Sequence, residues 1–281
     1  MKKYLKLEYE RVIRSKRFWL IILIGLFIAL MQYSERGGGW RFEDASIIYT
    51  KVDFTQNTPL PWYEYWIGGE GFGFYTETFF LVFPILAAIP LGSSLVSDNF
   101  TGYTMHMFIL GKRKHYYSAR FISAFLVGGI VVAFPLIVNM LLYLGGNPSI
   151  CPEPANGTSP ISTDSMWALL YYTHPIIYEI LYVIIDFVFG GIFSCFAAAI
   201  GMATKNKFLP VIFPFVLYVF LDTVFALQPS SVVRGFSPHN FLPPSQHSGL
   251  VSFDKILIVA LILLIPTIAL FVWNARRNET L

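Results

Sequence analysis

The chain has 281 residues, of which 55% are hydrophobic and 13% charged, with a net charge of +3 and a mean hydropathy of +0.59. Soluble domains carry about 25% charged residues, so the solvent for most of this chain is a bilayer. The small net charge makes no case for a nucleic-acid partner, and two cysteines, Cys151 and Cys195, set up neither a disulfide framework nor a metal-ligand spacing.

Residues 1–17 form a basic leader in which Leu5, Tyr9, Val12 and Ile13 recur at helical spacing. This pattern predicts an amphipathic helix lying in the membrane interface, although a plain charged anchor that only sets topology would also look basic. Glu8 and Glu10 interrupt the leader, and no small-x-small cleavage site precedes Gln32. A retained signal anchor is therefore expected rather than a cleaved signal.

Apolar runs of about 20 residues span a bilayer as helices. Six occur, at 18–33, 79–97, 119–144, 177–203, 208–227 and 254–273. Fifteen of the twenty Lys and Arg residues lie in the leader, the connections after the second and fourth runs, and the tail, against five in the other connections. By the positive-inside rule both termini are cytoplasmic. The predicted fold is an all-α integral membrane protein with six transmembrane helices, forming a single domain over residues 1–281 of a multi-pass plasma-membrane protein.

The connection at 34–78 carries three consecutive glycines and then "LPWYEYW" at 60–66. Its rings suit an aromatic belt at the headgroup level, or a lid over an exit path. Residues 145–165 read as irregular. "MWALLYYTHP" at 166–175 is too short to span and is expected in the outer interface. The stretch 228–253 holds Pro229, Pro238, Pro243 and Pro244 and cannot be one helix.

The elbow after the second span differs from an ordinary loop. Asp98 is placed to cap a new helix, Met105, Phe108, Ile109 and Lys112 share a stripe, and Gly111 is a natural stop. An exposed apolar ridge flanked by cations suits a groove on another protein; resting on lipid is the alternative.

Within the spans, Gly190, Ser194 and Ala198, with Gly191, Cys195 and Ala199 beside them, form a small-residue face for close helix approach. Pro84, Pro90, Pro135, Pro210, Pro214 and Pro266 each remove a helix donor. Asp186 and Asp222 would each cost about 2.5–3.5 kcal/mol at mid-membrane. With Asn139 and Glu179 they fall in the outer half, as polar residues of an outward-opening vestibule or as locally paired groups. No HExxH or GxSxG motif occurs. The "GK" at Gly111-Lys112 is not a phosphate-binding loop, since His106 stands where that loop needs Gly and Arg113 where it needs Ser or Thr. The chain is thus not expected to be an enzyme, or to bind a metal or cofactor itself.

The leader "LKLEYERVIRSKRFWL", the segment "SDNFTGYTMHMFILGKRKHYYSARFISAF" and the six-span layout together resemble the permease subunits of type-2 ATP-binding-cassette exporters. Asp98, Gly102 and the basic cluster 112–114 match that family's elbow; Tyr103 replaces its usual small Thr, and its Pro before the basic cluster is absent. The resemblance implies that residues 101–110 are a coupling helix. Thr101, Gly102, Met105, Phe108, Ile109, Lys112 and Arg113 would then dock on an ATPase subunit that binds ATP and Mg2+. It also implies a second permease subunit, with the substrate path between the two. An aromatic bundle with 27 Phe and 16 Tyr, and no buried cation expected, favours a hydrophobic or amphipathic cargo such as a peptide toxin, bacteriocin or lipophilic antibiotic. Rival readings are an integral-membrane enzyme using Asp186, Asp222 or the loop histidines, and a toxin-immunity or sensor protein that moves nothing.

Overall fold

The computed structural model describes residues 2–35, 61–71, 73–101, 103–109, 113–152, 161–246 and 250–277. Among them there are twelve α-helices and no strand. They are α1 (Lys2–Ile13), α2 (Lys16–Glu35), α3 (Phe74–Gly92), α4 (Ser94–Phe100), α5 (Tyr103–Ile109), α6 (Arg113–Gly146), α7 (Ala168–Thr173), α8 (Pro175–Ala203), α9 (Leu209–Ala226), α10 (Ser231–Arg234), α11 (Pro238–Phe241) and α12 (Phe253–Arg277). A 3-10 turn at Trp62–Glu64 precedes α3.

Six helical segments are long and apolar enough to cross a membrane, and they coincide with the six apolar runs. The second runs from Phe74 to Asp98 as α3 and α4. The third, α6, has 34 residues, roughly 51 Å of helix against a hydrocarbon core of about 30 Å. Its first turns therefore stand outside the core, among the basic residues. We call this the basic end; α1, α4, α5 and the last turn of α12 belong to it.

The centre of the bundle is α8, packed against α6, α3, α12 and α9. In α3 and α8 78% of the apolar window is buried, whereas in α9 the share is 17%, so the rest of the chain covers little of α9. Backbones approach closely where α6 crosses α8. A Cβ at Gly128 would stand 2.6 Å from the Gly190 carbonyl oxygen and would collide with Ser194. Gly190 and Ser194, expected to form a contact face, thus meet a glycine of the third span. Where lipid removes the hydrophobic drive to associate, this closeness is what holds two helices together.

Three expectations change. On α1 the buried residues are Tyr4, Glu8 and Val12, while Tyr9 and Ile13 are 64% and 37% exposed. The inward face is turned by about one residue from the apolar stripe because it follows Glu8, which has a charged partner inside. The aromatic residues Trp62, Tyr63 and Trp66 do not form a headgroup belt: with Ile67 they are fully buried within the protein, while Trp40 lies outside the described residues. The segment 61–71 is a plug over the outer ends of the helices, held by Trp62 N–H to the Pro148 carbonyl (3.2 Å) and Ser245 N–H to the Gly68 carbonyl (3.0 Å). Similarly, α7 is anchored in the protein: it buries Tyr171, whose ring lies between those of Tyr63 (5.4 Å) and Tyr178 (5.2 Å). The proline-rich stretch after α9 forms two short helices, α10 and α11, in line with its four prolines.

Candidate functional site

At the basic end, three elements converge on one guanidinium. Arg120, in the second turn of α6, is 1% exposed, contrary to the expectation of no buried cation. It donates to Glu8 of α1, to Ser94 Oγ of α4, and to Asp98 Oδ2 of α4 at 3.0 Å. Arg11 of α1 takes the same Asp98 from another side, with Nη1 2.7 Å from Oδ2 and Nη2 on Oδ1. Asp98 in turn holds the Arg11 guanidinium above its ordinary pKa. Arg17 Nη1 adds a bond to Ser93 Oγ at 2.7 Å. Two guanidiniums thus balance two carboxylates, the condition under which charges persist away from water. A planar fork reaches several oxygens at once, as a lysine ammonium does not.

This arrangement corrects the role read for Asp98. The carboxylate does not cap the elbow helix; it sits inside α4 and is consumed by the two arginines. Tyr103 finds its use here as well, because the Arg11 guanidinium lies 4.7 Å from its ring centroid. Burial, followed by the nearby Glu8, raises the Tyr103 hydroxyl.

The described part of the elbow helix, α5, covers Tyr103–Ile109 of the predicted 101–110, and its apolar residues divide. Ile109 is 83% exposed and Met107 is buried. Phe108 turns inward, its ring 5.8 Å from those of Tyr116 and Tyr117, with Arg113 stacked over it at 4.8 Å. Thr101 is exposed and donates through Oγ1 to the Ser97 carbonyl at 3.0 Å. Gly102, Lys112 and the Met105 side chain lie outside the described residues, as does His247. Among the described residues, the outward surface of the elbow is Ile109 with Thr101, Arg113 and Lys114.

At the end opposite the basic one, the four predicted polar residues differ in the partners they take. Asn139 of α6 is fully buried and saturated: its Oδ1 accepts from Ile67 N–H at 2.9 Å, and its Nδ2 donates to the Ala29 carbonyl and to Gln32 Oε1, both at 3.0 Å. Gln32 continues to Glu70 Oε2 (2.8 Å) and the Tyr65 carbonyl (2.6 Å), and Thr76 also donates to Glu70. Asn139 is thus the latch of the plug. Glu179 and Asp186 lie on one face of α8, fully buried, and neither carboxyl has a hydrogen-bond partner among the described residues. Asp222 of α9 is half-exposed and accepts from Ser237 Oγ at 2.6 Å.

The outer cavity is built instead by residues that apolar patterning does not reveal. Its volume is about 210 Å³, and its walls include Thr76, Glu77, His239, Asn240 and Gln246. His239 links Glu77 (3.1 Å) to the Tyr218 hydroxyl (3.3 Å). Gln246 Nε2 donates to the Tyr182 hydroxyl, and its side-chain Oε1 has no partner among the described residues. No group of three or more His, Cys, Asp and Glu side chains among the described residues is placed to hold a metal ion. Comparison of the chain with family models, with curated proteins and with solved structures gives no match.

Proposed function

We propose that this chain is the membrane subunit of an ATP-driven exporter, similar to the type-2 ATP-binding-cassette permeases. Its basic end faces the cytoplasm, where a separate ATPase subunit holds ATP and Mg2+. The cargo is hydrophobic or amphipathic, of the peptide-toxin, bacteriocin or lipophilic-antibiotic kind, and a second permease subunit completes the path.

One observation carries this reading: the Glu8–Arg120–Asp98–Arg11 knot ties α1 and α4, the helix that leads into the elbow, to α6. A connection that only joined two spans would have no use for buried cross-bracing. A push on α5 enters α6 directly, and α6 also carries Asn139, 19 residues on and roughly 28 Å along the helix. Asn139 holds the plug. A single rigid rod thereby links the surface that would meet the ATPase to the segment that closes the outer end. Rigid elements with two discrete arrangements are what carry coupling over such distances.

The test is Ile109→Asp, a change confined to an exposed side chain. Transport and chain-dependent ATP hydrolysis should fall at least tenfold while the purified subunit keeps its melting behaviour. Transport at the unaltered rate, or an ATPase that neither co-purifies with the chain nor responds to it, would overturn the proposal.

A further inference from the structure

At the basic end α6 and α12 leave a groove of about 710 Å³. Its inner wall is aromatic: Phe271 lies 5.0 Å from Phe121 and 6.3 Å from Tyr117, ring to ring. Two cations lie at its mouth, Lys114 in the first turn of α6 and Arg276 in the last turn of α12. Both are exposed, and neither meets a carboxylate among the described residues. From Arg276 the groove runs to Ile268, eight residues back and roughly 12 Å of helix, with Ile122 on the opposite wall.

We infer that this groove is a binding site for an anionic phospholipid of the leaflet at the basic end. Lys114 and Arg276 meet the phosphate, and an acyl chain lies along Phe121, Phe271 and Ile268. The charge arrangement selects this occupant. The two cations stand on helix ends at the level where lipid phosphates lie, and an apolar channel leads from them toward the bilayer centre. Basic pockets between membrane helices take anionic headgroups for this reason. A helix from another protein would fill the apolar part but would need its own acidic residue at that depth to neutralise the mouth. The inference is independent of the transport proposal, since it concerns the solvation of the chain and not its motor.

The test uses the full-length purified chain, delipidated in mild detergent and titrated with phosphatidylglycerol or phosphatidylcholine. Bound lipid is counted by native mass spectrometry at low and high salt. Phosphatidylglycerol should be retained at least tenfold better at low salt. A Lys114→Gln, Arg276→Gln double variant should lose that preference. The equally exposed control Lys205→Gln, Lys207→Gln should keep it, which separates a site from general attraction to positive charge. Ser118→Trp, which narrows the groove without touching either cation, should lower retention of both lipids. Equal retention of the two lipids by the unaltered chain, or an unchanged preference in the double variant, would overturn the site. So would loss of a chain dimer, in place of loss of lipid, in the double variant and in Ser118→Trp, because the groove would then hold a second copy.

Discussion

Replacing Arg120 with Met is the most demanding perturbation of the basic end. The side chain is 1% exposed and is the hydrogen-bond partner of Glu8 among the described residues; Glu8 is itself fully buried. Asp98 would keep Arg11, but Glu8 would be left as a charge without a cation, one of its oxygens being unpaired already. Breaking a buried pair from one side costs about 3–5 kcal/mol. Arg120→Met should therefore destabilise the bundle by that amount, whereas Glu8→Gln together with Arg120→Met should recover at least half of it. Arg120→Lys should fall between, because one ammonium cannot reproduce a fork shared among Glu8, Asp98 and Ser94. The molecule supplies its own reporter: Cys195 is fully buried and Cys151 exposed. With Cys151→Ser in the background, a thiol-reactive dye reads thermal opening at Cys195 alone. If Arg120→Met melted within a degree of the parent, or if the double variant were no more stable than the single, the knot would not be a stabilising pair and the coupling route through α6 would lose its basis.

Three further outcomes are expected. Gly128→Ala should cost about 1–3 kcal/mol by overpacking the α6–α8 crossing; Ser194→Ala should not restore it, because the Gly190 carbonyl still lies 2.6 Å from the added Cβ, and the same dye assay measures both. Asn139→Leu should cost about 1–3 kcal/mol for the orphaned Ile67 N–H, with faster hydrogen exchange confined to residues 61–71. Burial raises the Glu64 carboxyl from 4.5 to about 7. A carboxyl raised on folding stabilises the folded plug below its unfolded pKa and loses that contribution as pH rises toward and through the folded value. Exchange protection of residues 61–71 should accordingly decline from about pH 4.5 to about pH 7, and Glu64→Gln should flatten the profile; a decline unchanged in Glu64→Gln would refute the assignment.

Much of the architecture can be read without coordinates because membrane spans are specified locally. Length and apolarity decide which segments leave water, and all six apolar runs became long helices with ends displaced by a few residues. The small-residue face around Gly190 and the irregularity of the proline-rich connection were legible for the same reason: both depend on residues close in the chain. Side-chain partnership was not legible. Asp98 looked like a helix cap because its neighbours in sequence suggested a new helix, yet its partners Arg11 and Arg120 lie 87 and 22 residues away. Glu8 in a basic leader and Arg120 at the edge of an apolar run were each out of place, a signal that becomes informative once they are considered as a pair.

The number of spans, the uneven distribution of basic residues and the existence of an elbow helix between the second and third spans follow from composition along the chain, since transfer of apolar surface from water depends on a segment's own residues. The directions in which Met107, Phe108 and Ile109 face, the burial of Glu8 and Arg120 together, the burial of Trp62 and Trp66 in a plug latched by Asn139, and the partners that Asn139 and Asp222 take were decided by the tertiary structure. Inside a bundle, a polar group goes where its hydrogen-bond and charge partners are, and those partners are supplied by helices distant in sequence.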